Sequence, residues 1–190
     1  DTSNAAIVGG TTTVIEFVNQ APGKGIAETI FEYEADEVKD VAMVDYSFHG
    51  IVCEPSDELF KEIPSLVDKG LPTLKLFMAY KGLPFHSDDE AIFKALKAAK
   101  DVGVTVMIHA ENADVIDILQ KEYLEQGLTD PYYHALSRPT LVEVEATQRV
   151  IHLANLAEAP VYIVHVTAKE VMEVIREAYI KGTPVYGETC

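Results

Sequence analysis

The chain has few basic side chains for its acidity: 15 Lys and Arg stand against 31 Asp and Glu, a formal net charge of −16. That shortage of positive charge argues against nucleic acid or an anionic membrane surface as a partner. It leaves a small neutral substrate open. Cysteine is scarce too. Cys53 and Cys190 lie far apart in no metal-type spacing. Both read as plain thiols, and a reducing, cytoplasmic setting is expected rather than a disulfide scaffold. No apolar run approaches the ~20 residues of a membrane helix, so no membrane partner is expected. The opening Asp1-Thr2-Ser3-Asn4 has neither the basic region nor the apolar core of a signal peptide. Low-complexity segments and linkers are missing as well. The 190 residues, 48% of them hydrophobic, are therefore read as one domain with one sizeable core.

What is present is an alternation. Ala5 to Gly10 reads as a helix end with a glycine stop. Strands are expected at Thr11–Phe17, Val41–His49, Thr73–Ala79, Gly103–His109, Pro160–Val166 and from Thr183 on. Helices are expected at 26–38, from Ser56 to about Lys69 with Pro64 kinking or splitting it, from a capping box opened by Ser87 to about Asp101, at 113–126, at 140–157 and at 168–181. Residues 127–139 form a loop longer than most, which points to a function or an interface. Strand and helix in repeated alternation demand parallel strands with crossover helices. An open doubly wound sheet and an eightfold barrel both satisfy that. The glycine-rich phosphate loop of a dinucleotide fold is missing, so the expected fold class is α/β, a parallel (β/α) barrel of the TIM type. Such a barrel needs ~250 residues and eight strands. About six are legible, and an interior piece of a larger domain, short of one strand at each end, is expected.

One lysine stands in the middle of the apolar run 73–79. A buried ammonium is costly unless it is paired, neutralised or chemically changed. Two plain readings stand beside a functional one: Lys75 points out of an end of the sheet, or it pairs with a carboxylate. His109 closes one strand and His165 sits near the end of another. In a barrel the carboxyl ends of the strands face the active site, so residues from three strands would converge on one mouth. Histidine is a common metal ligand, and lysine becomes one if carbon dioxide adds to its amine. The resulting carbamate can bridge two cations, and paired divalent ions generate hydroxide at neutral pH and polarise a carbonyl.

Lys75-Leu-Phe-Met-Ala-Tyr-Lys, His109-Ala-Glu-Asn, His165-Val-Thr and Gly187-Glu-Thr-Cys, in this order, resemble the hydantoinase/dihydropyrimidinase branch of the cyclic amidohydrolases. Gly9-Gly-Thr-Thr-Thr and Asp130-Pro-Tyr-Tyr-His-Ala-Leu-Ser-Arg-Pro match that branch too. The resemblance covers nearly the whole chain, most loosely at 1–8 and 18–40. It implies a binuclear centre, usually zinc, in a TIM-like amidohydrolase barrel. It makes Lys75 the carboxylated bridging lysine, and His109 and His165 the histidines of the second metal. It makes Tyr80 the catalytic and substrate-binding tyrosine that hydrogen-bonds the substrate carbonyl and the oxyanion. The implied substrate is a small cyclic amide and the implied assembly a homo-oligomer, tetramer or dimer.

The departures are specific. The family's His-x-His pair for the first metal is not in this sequence. Nor is its late aspartate, nor the substrate-reading serine and asparagine loops expected after Cys190. Ala113 stands where relatives commonly have glycine. As given, residues 1–190 should make a partial catalytic domain of a metal-dependent hydrolase, without a complete active site. A non-catalytic relative, like the collapsin response mediator proteins, is the other class of function. Allantoinase and dihydroorotase are the neighbouring enzymes. Lys75, His109 and His165 favour an enzyme, and Phe77-Met78-Ala79-Tyr80 favours the hydantoinase branch. His49, His86, His134 and His152 read as structural or solvated. Glu111 and Asn112 read as positioning their loop or capping the next helix. Tyr132, Tyr133 and Arg138 could serve a subunit contact or catalysis equally well.

Overall fold

The computed structural model describes residues 2–190; Asp1, the first residue of the opening tetrapeptide, lies outside them. Six strands form one sheet in the order β1 to β6: Thr13–Asn19, Asp45–Ile51, Thr73–Phe77, Thr105–His109, Val161–Ile163 and Val185–Gly187. Every neighbouring pair is parallel. A doubly wound sheet reverses its strand order at a switch point, and this sheet never does. Consecutive order with right-handed crossovers puts the helices on one face and leaves the other face to line a barrel. β1 and β6 do not pair with each other, so the six strands make an open part of that barrel.

The connecting helices are α1 (Thr2–Val8), α2 (Ile26–Tyr33), α3 (Asp57–Glu62), α4 (Asp89–Ala99), α5 (Ala113–Glu125), α6 (Pro131–Leu136), α7 (Thr140–Ala157) and α8 (Lys169–Ile180). Their apolar stripes meet one side of the sheet. Ile26 and Ile30 of α2, Ile92 and Leu96 of α4 and Val150 of α7 share a core with Leu74, Leu76, Val106, Ile108, Val161 and Ile163. Successive strand side chains point to opposite faces. Thr73, Lys75 and Phe77 of β3, Thr105, Met107 and His109 of β4, and Tyr162 of β5 therefore lie on the other face, the barrel lining.

Several boundaries differ from expectation, each for a local reason. The helix after Ser87 starts one residue later. Asp88 is its N-cap and accepts from the Ala91 amide at 2.9 Å. The Ser87 amide is already committed to the Phe77 carbonyl at 2.7 Å, which keeps Ser87 attached to the sheet. The segment 127–139 is not all loop, because α6 lies within it. Pro131 at its first turn supplies a helical φ without an amide to satisfy, but six residues are too few to show a helical period. The acidic helix 26–38 ends as a π turn over Glu34–Val38. The helix from Ser56 ends at Glu62 and gives way to a 3-10 turn over Ile63–Ser65, the split that Pro64 imposes.

β2 continues two residues past His49. Gly50, just past the expected end of the strand, serves a close approach. A Cβ there would lie 2.5 Å from Ile26 Cγ2 and 3.4 Å from a Leu74 methyl, so α2 can rest on β2 only over a glycine. Gly50→Ala should therefore destabilise the protein by about 1–3 kcal/mol, the usual cost of overpacking a tight core. A denaturant titration of the full-length protein checks this. An unchanged midpoint would mean that α2 shifts freely on the sheet.

Candidate active site

Lys75 occupies the middle of β3 on the barrel-lining face, so it does not emerge from an end of the sheet. It is 3% exposed. The pairing reading fails as well. Among the described residues no ion pair or hydrogen bond reaches Nζ; Glu188 acts on it only through its longer-range charge. Nζ lies 4.8 Å from the centroid of the Phe77 ring and 6.0 Å from that of Phe17. Burial pulls its pKa from the ordinary lysine value down to about 7, with the charge of Glu188 resisting. At neutral pH a large share of this amine is uncharged and nucleophilic.

His109 is the last residue of β4 and lies in register beside Phe77. His165 follows β5 by two residues, with φ at +41°. Their rings meet edge to face, 4.5 Å between centroids. Burial lowers the pKa of His165, and the nearby charges of His109 and Lys75 lower it further. Tyr80 follows the strand with φ at +63°. Its ring lies 5.4 Å from that of His109 and 5.6 Å from that of Phe85. Two non-glycine residues in left-handed conformations at one sheet edge are the kind of strain that collects at functional sites. The structure thus brings His109, His165 and Tyr80 to the carboxyl edge of the barrel-lining face, with Lys75 on that face one turn of the pleat below them.

The remaining histidines are held elsewhere. His49 lines the barrel below the edge, with Nδ1 2.6 Å from Thr73 Oγ1 and its ring 4.7 Å from that of Phe17. His86 Nδ1 meets the Ala79 carbonyl at 3.1 Å. His134 lies on α6 and His152 is exposed on α7. Cys53 is half-buried and Cys190 exposed, both as free thiols. Asn112 caps α5, accepting from the Val115 amide at 3.1 Å. Two carboxylates have more to do than the sequence reading gave them. Glu111 Oε2 lies 2.6 Å from His109 Nε2. Glu188, just past β6, accepts from the Tyr162 hydroxyl at 3.1 Å and faces Lys75 and His49. The i, i+2 spacing of His109 and Glu111 at the end of an extended strand is the one sequence signal that places those two on the same side.

Burial raises the pKa of Glu111, yet it ends below the ordinary carboxylate value. The hydrogen bond from His109 and the charges of His109, Arg138 and His165 outweigh burial. Glu111 is therefore favoured as a carboxylate, an acceptor at hydrogen-bond distance from His109 Nε2. Imidazoles are donors that suit a divalent ion, and an uncharged amine can take up carbon dioxide to become a carboxylate donor. Among the described residues no three His, Cys, Asp or Glu side chains converge as a metal cage.

No protein-family model matches the chain. Individual proteins do. A D-hydantoinase from Geobacillus stearothermophilus is 44% identical over 187 residues, 98% of this chain and 39% of the relative. Over nearly its whole length the chain is similar to hydantoinases and dihydropyrimidinases. A dihydropyrimidinase from Rattus norvegicus is 39% identical over 98% of the chain and 36% of its own length. The crystal structure of dihydropyrimidinase from Brevibacillus agri NCHU1002 superposes with a TM-score of 0.93 at 43% identity, over 99% of this chain and 41% of that one. The chain thus spans about two fifths of the length of these hydantoinase and dihydropyrimidinase relatives.

Proposed function

We propose that the full-length protein is a metal-dependent cyclic amidohydrolase that opens the ring of hydantoins or dihydropyrimidines. The observation that carries this reading is Lys75: a buried amine without an ionic partner among the described residues, on the same barrel-lining face as the paired rings of His109 and His165. The names of the relatives support the substrate class. In this reading residues 1–190 are the larger part of a (β/α)8 catalytic domain. The protein is cytoplasmic and works as a homo-oligomer, a tetramer or dimer. Among the described residues no helix is long and apolar enough to cross a membrane.

Each residue has a task. The Lys75 amine attacks carbon dioxide, an N–C bond forms, and one amine proton leaves to solvent. The product is a carboxylate on a long arm that would hold two divalent ions, zinc in the simplest case. His109 and His165 would supply imidazole ligands to one of them. When bound, the ion pair supplies an acidified water and polarises the ring carbonyl. Tyr80 presents its phenol to the carbonyl oxygen, where charge grows during attack. Phe77, Tyr80 and Phe85 pack together, with Phe77 and Phe85 ring centroids 5.1 Å apart, and keep water from the ring. The test is ring opening of dihydrouracil and of a 5-substituted hydantoin by the full-length protein supplied with zinc and bicarbonate. Turnover that a chelator removes and zinc restores is the expected result. A metal-loaded protein that opens neither ring contradicts the reading.

A further inference from the structure

We propose that Glu111 is a positioning residue that fixes the tautomer of His109, and that the α6–α7 corner exists in part to hold Glu111 in place. This rests on reading His109 as a metal ligand. The geometry is a chain of contacts running outward from the site. His109 Nε2 meets Glu111 Oε2 at 2.6 Å, and the two side chains are 10% and 17% exposed. Behind Glu111 stands Arg138, itself 16% exposed, its Nε 4.0 Å from Oε1. Arg138 Nη1 in turn donates to the His134 carbonyl and to Ser137 Oγ, both at 3.2 Å. With its amide turned to satisfy both groups, Gln120 of α5 accepts from the same guanidinium at 3.1 Å. Ser137 is fully buried, so this corner is anchored in the protein.

A neutral imidazole carries its proton on one nitrogen, and the partner of the other nitrogen decides which. A carboxylate accepts and cannot donate, so Glu111 holds the proton on Nε2 and leaves Nδ1 open. The half-buried anion is affordable because Arg138 faces its second oxygen. Outer partners of this kind orient a ligand, and their loss typically costs ~10–100-fold in metal affinity. The segment around Arg138 thus acts on the site through Glu111, without itself reaching the reacting atoms.

Glu111→Gln in the full-length protein separates this from a merely structural role, because a glutamine amide can donate to Nε2 and so stabilise the opposite tautomer. In metal-stripped, [15N]histidine-labelled protein, the wild type should show His109 protonated at Nε2. Glu111→Gln should move a substantial share of the proton to Nδ1 and weaken zinc binding ~10–100-fold by chelator competition, with an unchanged melting profile. Arg138→Met should move the same signal in the same direction, and it replaces Glu111→Gln if that variant does not fold. A wild type already protonated at Nδ1 overturns the proposal. So does Glu111→Gln with wild-type tautomer and wild-type affinity. A wild type that binds no zinc defeats the functional reading instead, while the tautomer still decides the role of Glu111.

Discussion

Lys75→Ala should strip the full-length protein of most bound metal and of essentially all turnover. The substitution removes the group proposed to become the bridging carboxylate, and His109 and His165 alone are two imidazole donors. Lys75→Arg should fail equally. A guanidinium stays protonated and cannot take up carbon dioxide, whereas the Lys75 amine, with its pKa near 7, is largely free to react at neutral pH. The fold should survive the change. Among the described residues Lys75 has no ion partner to orphan, and removing a buried amine from beside the rings of Phe17 and Phe77 relieves desolvation while opening a small cavity. Short carboxylic acids added to Lys75→Ala should restore part of the activity by entering that cavity in place of the carbamate. Metal analysis and steady-state kinetics check both halves. Two full equivalents of metal in Lys75→Ala would remove the bridging role.

Tyr80→Phe should keep its metals and its fold but lose ~10²–10³ in kcat, the usual cost of one lost oxyanion donor. The ring of Tyr80 lies beside that of His109 and against Phe85, and phenylalanine preserves those contacts. What it loses is the hydroxyl. A donor whose bond strengthens as charge builds on the carbonyl oxygen acts on kcat more than on KM. The left-handed backbone at residue 80 argues the same way, because a side chain placed only for packing gains nothing from that strain. An unchanged kcat at full metal content would leave Tyr80 as a packing residue.

The barrel was legible because its signals are periodic and local. Five of the six strands are short apolar or β-branched runs between turn residues, and the order of motifs along the chain follows the order of strands in the sheet. Lys75 announced itself because an ammonium inside an apolar run violates the pattern around it. What stayed hidden depends on distance in space. Gly50 looks like punctuation until Ile26 is seen pressing on it from another element. α6 is too short for a period. The role proposed for Glu111 requires knowing that residue 109 ends a strand, that helix does not resume until Ala113, and that Arg138 comes to face Glu111. Glu188 is 113 positions from Lys75 in sequence and its charge reaches Lys75 only because β6 joins the same sheet.

The most direct test is whether Lys75 carries carbon dioxide. Full-length protein reconstituted with zinc in [13C]bicarbonate should show one carbamate carbon per chain by 13C NMR. Lys75→Arg, treated the same way, should show none. A fully metal-loaded, active protein without a carbamate signal would contradict the account.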